Sequence, residues 1–105
     1  MKSISAKELH QKIIQGEEFV LIDVRESFEH HHFNIGGVNL PLSSIFENKE
    51  EFNNNQSVII YCQKGIRSQI AIQRLSDRFG YNQLINLQGG VDAWIKTFQN
   101  KKDGE

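Results

Sequence analysis

One cysteine, one proline and one tryptophan are all that the 105 residues hold of those types, and each scarcity narrows the field. A lone cysteine cannot close an internal disulfide, which removes the small disulfide-stapled scaffolds and points to a reducing, cytoplasmic setting. Sparse proline removes collagen-like and polyproline chains. No stretch of about 18 apolar residues is present to span a bilayer. The opening MKSISAKELHQKIIQGEEF interrupts its apolar positions with Lys7, Glu8, His10, Gln11 and Lys12, unlike a secretory leader. Neither sign of charge is in excess: 12 Lys plus Arg face 13 Asp plus Glu, a formal net charge of -1. No global field gathers nucleic acid or an anionic membrane, so any anion site must be local.

What the chain does have is the apolar content of a packed globule, with 38% hydrophobic and 10% aromatic residues in a length that suits one domain. That domain is expected over residues 1–100, followed by a frayed tail at 101–105. Helical and strand patterns alternate along it, which predicts an α/β sandwich. Ser5 and Glu8 have capping-box spacing, and Leu9, Ile13 and Ile14 share a helical face until Gly16, so a first helix is expected near residues 6–15. Phe19 to Ile22 and Ser57 to Tyr61 are continuous apolar runs of the kind that form strands covered on both faces. Val38, Asn39 and Leu40 predict a third strand and Leu84 to Leu87 a fourth. Ile66, Ile70, Ala71, Leu75 and Phe79 form a helical stripe ended by Gly80, and Gly89-Gly90 opens a last helix carrying Val91, Trp94, Ile95 and Phe98. Residues 43–55 fit neither period.

Chemistry concentrates in SVIIYCQKGIRS, residues 57–68. Sites in parallel α/β sheets form outside the carboxyl ends of strands, and Cys62 stands there. The amides of a tight turn, together with the unpaired donors of the next helix's first turn, can converge beside its sulfur. Gly65 permits the turn, while Lys64 and Arg67 add positive side chains, a setting that favours a thiolate nucleophile. A core cysteine ending a strand has no need of such a turn.

Four pieces in order carry a resemblance over nearly the whole chain: LIDVRE at 21–26, NIGGVNLPL at 34–42, the CxxGxR loop from Cys62 to Arg67, and LQGGVDAW at 87–94. The chain resembles the rhodanese-like domains, sulfurtransferases that carry a sulfane sulfur on cysteine. The resemblance implies a three-layer sandwich with a central, mostly parallel sheet of about five strands. It also implies a ping-pong reaction in which Cys62 takes sulfur from a small anionic donor such as thiosulfate. The resulting persulfide passes the sulfur to cyanide, a small thiol or a protein thiol, with no metal or organic cofactor. Gln63, Lys64, Gly65, Ile66 and Arg67 would then line the substrate site.

Rhodanese-fold phosphatases and arsenate reductases are the closest rivals and use a longer CxxxxxR loop; Ser68 stands where their arginine would be. A noncatalytic rhodanese-derived binding module would lack the cysteine. Asp23 and Arg25, at the end of the first long strand, are expected to fix adjacent loops through charge-assisted hydrogen bonds, and Ser68 to support the site. His30, His31 and His32 cannot all point one way, so a solvated, partly packed run is expected instead of a metal site. The segment carries no expected catalytic role. Neither Gly-Gly pair forms a nucleotide-binding fingerprint, and no GxSxG elbow surrounds Ser43 or Ser44.

Overall fold

A computed structural model describes the backbone of residues 1–103 and the side chains through residue 99. In chain order the elements are β1 (Ser3–Ile4), α1 (Ala6–Ile14), β2 (Val20–Asp23), α2 (Ser27–His32), β3 (Val38–Asn39), 3-10 turns at Leu42–Ser44 and Lys49–Phe52, β4 (Val58–Tyr61), α3 (Ile66–Phe79), β5 (Leu84–Leu87) and α4 (Gly90–Asp103). The strands form one sheet in the order β1-β5-β4-β2-β3, and every pairing is parallel. The backbone is helical as far as Asp103; the rest of the expected tail, 104–105, lies outside the described residues.

The apolar run of β4 follows from its position. All four of its residues are buried, and their alternation divides them between two cores. Val58, Ile60 and then Cys62 pack with Ile22, Val24, Phe52, Ala71 and Leu75, on the side covered by α3. Ile59 and Tyr61 pack with Leu9 of α1 and with Leu87 and Val91, on the side covered by α1 and α4. Such two-sided burial contributes about 1.5 to 3 kcal/mol for each large aliphatic side chain, which is why no polar residue interrupts this strand. Trp94 belongs to the second packing layer, with its ring 4.7 Å from that of Phe98.

Local signals explain most boundaries. Ser5 caps α1, accepting from the Glu8 N–H at 3.1 Å while the Glu8 carboxylate accepts from the Ser5 N–H at 2.9 Å. Gly80 ends α3 at φ +72 in the left-handed region that only glycine enters without strain. Three features depart from the sequence reading. β2 is shifted one residue toward the C-terminus, because Asp23 pairs with both Tyr61 of β4 and Asn39 of β3. α2 forms where only a polar stretch was expected. β1, two residues long, is too short to leave a period. Residues 43–55 resolve into irregular structure pinned by Ile45 and Phe52, both buried.

The topology locates a crevice. From β2 the chain moves outward to β3, whereas from β4 it moves the opposite way to β5, so the winding reverses between β2 and β4. Ligand sites open at the carboxyl ends of strands at such a reversal. Arg25 and Cys62 both emerge there. Among the described residues, no helix is long and apolar enough to cross a membrane.

Candidate active site

Cys62 follows β4 directly and is 1% exposed. Its Sγ accepts hydrogen bonds from the backbone N–H of Gly65 at 3.1 Å and of Ser68 at 3.3 Å. Both donors have local causes. Gly65 adopts φ +94, which folds the loop back over the sulfur, and Ser68 lies in the first turn of α3, where amides have no intrahelical acceptor. The Ser68 hydroxyl stands 3.4 Å from Sγ and donates to Asn86 Oδ1 at 2.5 Å, with both residues buried. The sulfur is therefore walled by apolar core on one side and met by oriented donors on the other.

A second clamp comes from the base of α4. The N–H groups of Val91 and Asp92 donate to the carbonyls of Cys62 and Gln63 at 2.9 and 3.0 Å. A Cβ on Gly90 would collide with those same carbonyl oxygens. The glycine pair of the LQGGVDAW segment thus permits close approach of two backbones.

Behind the loop lies a buried ionic network. Asp23 is fully buried and Arg25 is 2% exposed. The Asp23 carboxylate accepts from Arg25 N–H at 2.9 Å, from Nε at 3.0 Å and from Nη2 at 2.8 Å, and it meets His30 Nδ1 at 2.8 Å. Arg25 also donates to Gln63 Oε1 at 2.9 Å and to the Phe33 carbonyl at 2.6 Å. Burial opposes the guanidinium's charge, but the hydrogen bonds and field of Asp23 outweigh it and leave the Arg25 pKa raised. Asn39 bridges the carbonyls of Asp23 and Arg25. Tyr61 donates to the Gly36 carbonyl at 2.8 Å, and its phenol is pushed up to about 12, chiefly by burial. Among the described residues, no buried side-chain nitrogen or oxygen lacks a partner, so the network is satisfied. Asp23 and Arg25 tie β2, α2 and the reactive loop together.

The mouth is a cavity of about 200 Å³ lined by Cys62, Gln63, Lys64, Ile66 and Arg67. Sequence reasoning placed Lys64 and Arg67 here but did not see their partners. Arg67 is gripped in bidentate fashion by Glu29, Nη1 to Oε1 at 2.8 Å and Nη2 to Oε2 at 2.9 Å. These bonds lead the causes that lower the Glu29 carboxyl to about 2. Lys64 Nζ lies 3.9 Å from Asp92 Oδ2, and the Gln63 amide donates to Asp92 Oδ1 at 2.6 Å. Glu29, Asp92 and Asn86 are the site's unforeseen members, and His30 is the histidine of its run that reaches the buried network. The one sequence signal among them was the spacing of Glu26 and Glu29, because Glu29 also accepts from the Glu26 N–H and caps α2.

His30, His31 and His32 share the short helix α2, and His30 turns to the Asp23 carboxylate. Among the described residues, no three His, Cys, Asp or Glu side chains are grouped to hold a metal ion. The family described as Rhodanese-like domain matches residues 5–97. The chain belongs to the rhodanese-like domain family. Within that family it is 31% identical over 97 residues to a sulfurtransferase of Allochromatium vinosum, covering 91% of this chain and 90% of that protein. It is 30% identical over 100 residues to MoeZ of Mycobacterium tuberculosis, covering 92% of this chain but 25% of that protein. The rhodanese-like chain thus spans about a quarter of the length of that curated relative. Its fold superposes with a TM-score of 0.80 on the rhodanese-like domain protein from Staphylococcus aureus, at 29% identity, covering 90% and 91% of the two chains.

Proposed function

We propose that this rhodanese-like chain is a sulfurtransferase that carries a sulfane sulfur on Cys62 as a persulfide. The observation that carries this reading is the pair of backbone amides, Gly65 and Ser68, both aimed at Sγ on the floor of a small cavity. A sulfurtransferase relative whose match covers 91% of this chain and 90% of its own supports it further.

In the first half-reaction the Cys62 thiolate attacks the outer sulfur of a donor such as thiosulfate. The S–S bond of the donor breaks, its electron pair leaves with sulfite, and Cys62 becomes a persulfide. In the second, an acceptor thiolate or cyanide attacks the outer sulfur and the Cys62 thiolate departs. Both halves develop and relocate negative charge on sulfur. Donors already fixed by Gly65 and by the start of α3 stabilise that charge without reorganising, as an oxyanion hole does. The order of events is ping-pong. Ser68, on this reading, supports the sulfur, while Asp23 and Arg25 hold the loop without touching substrate.

Intact-mass measurement after incubation with a sulfane donor tests the reading. The expected result is gain of one sulfur atom, reversed by reductant and lost in Cys62→Ser. A folded wild-type protein that stays unmodified with every sulfane donor would refute it.

A further inference from the structure

We propose that Glu29 is a specificity-determining residue that turns the Cys62 pocket away from dianionic donors such as thiosulfate and toward organic persulfides, R–S–SH. The inference rests on the sulfurtransferase reading above and names its substrate class. Each cation around the pocket is already matched by a carboxylate. Both outer nitrogens of Arg67 are taken by the two oxygens of Glu29. Lys64 is drawn to Asp92, and 73% of its side chain is exposed to screening solvent. Arg25 is turned inward onto Asp23, Gln63 and Phe33. Among the described residues, Arg67 and Lys64 at the lip are balanced by Glu29 and Asp92, and the buried Arg25 by Asp23, while Ile66 adds an exposed apolar wall, 63% accessible.

A dianion approaching a thiolate is repelled, and it needs an unopposed cation to offset that repulsion. This pocket offers none among the described residues. An alkyl persulfide brings at most a single charge and an apolar stem suited to Ile66. Its transfer balances without a redox partner. The Cys62 thiolate attacks the terminal sulfur of R–S–SH, the donor's S–S bond breaks, R–S⁻ leaves with the bonding pair, and Cys62 becomes Cys–S–SH. Loss of a proton to solvent gives the persulfide anion beneath the Gly65 and Ser68 amides.

Initial rates of sulfur loading, read by intact mass with thiosulfate and with n-propyl persulfide generated in situ, test the assignment. Wild-type protein is expected to have the larger kcat/KM with n-propyl persulfide. Glu29→Gln frees Arg67 and should raise the thiosulfate value about tenfold relative to the persulfide value, a gain that shrinks as salt is added. Asp92→Asn, which frees Lys64, should move the ratio the same way by less, and it keeps the test intact if Glu29→Gln does not fold. A wild-type preference for thiosulfate, or variants that shift both donors equally, would overturn the role of Glu29 while leaving a Cys62-dependent sulfurtransferase standing. Loading by neither donor would remove the parent reading and this one with it.

Discussion

Arg25 and Arg67 stand on either side of the same loop and do different work. Arg25 is sealed in the interior, with its donors shared among Asp23, Gln63 and the Phe33 carbonyl. Arg67 lies at the pocket lip, a third of its side chain exposed, with Glu29 as its one partner among the described residues. A buried ion pair adds little net stability, yet stripping one partner leaves an uncompensated charge in the interior. A half-exposed pair is screened by water and can be opened at small cost. The inner arginine therefore determines whether the loop exists, and the outer one determines what the loop admits.

The sharpest way to break this comparison is Arg25→Met. It strands Asp23 in the core and should lower unfolding stability by about 3 to 5 kcal/mol, read from the urea midpoint; an unaltered midpoint would show that the inner network is no more structural than the rim. Ser68→Ala comes next. It leaves Asn86 Oδ1 buried without its donor, a loss of about 1 to 3 kcal/mol, and it should slow sulfur loading while both amides at Sγ remain. Loading at the wild-type rate would detach Ser68 from the site's function.

Glu29→Gln should have the smallest effect on stability, about 1 kcal/mol or less at neutral pH. Its pH dependence sharpens the contrast. The Arg67 hydrogen bonds lower the Glu29 carboxyl from 4.5 to about 2, so the stability it contributes is complete above its unfolded value near 4.5. It is lost as pH falls from there to about 2. Denaturation midpoints of wild type and variant should therefore converge as the solution is acidified across that window. A difference that persists at its lower end would mean the pair acts by packing instead of charge.

The same contrast explains what the sequence made legible. β4 was visible because burial on both faces forces an uninterrupted apolar run, and the reactive loop was visible because Cys62, Gly65 and Arg67 sit within six residues. Ser5 and Glu8 marked α1 because a capping box is local. The rim carboxylates were not visible, since Glu29 and Arg67 are 38 residues apart and meet only through the order of the strands. Asn86 was hidden in the same way, and as one polar residue within β5 it had no pattern of its own. α2 escaped because its cap is a glutamate, outside the usual Ser, Thr, Asp and Asn set. Gly89-Gly90 was legible as the opening of the last helix, but the reason for Gly90, the carbonyls of Cys62 and Gln63, lies nearly thirty residues earlier.

That last contact bears on how such a protein can change over evolutionary time. The reactive loop leans on the first amides of α4, and Gly65 presses against Gly89. A longer loop, able to encircle a bulkier oxyanion, cannot arise by inserting a residue in one place, because the new backbone would lose its footing on the helix. A change of this scaffold toward such chemistry would require two distant stretches of the gene to be altered together.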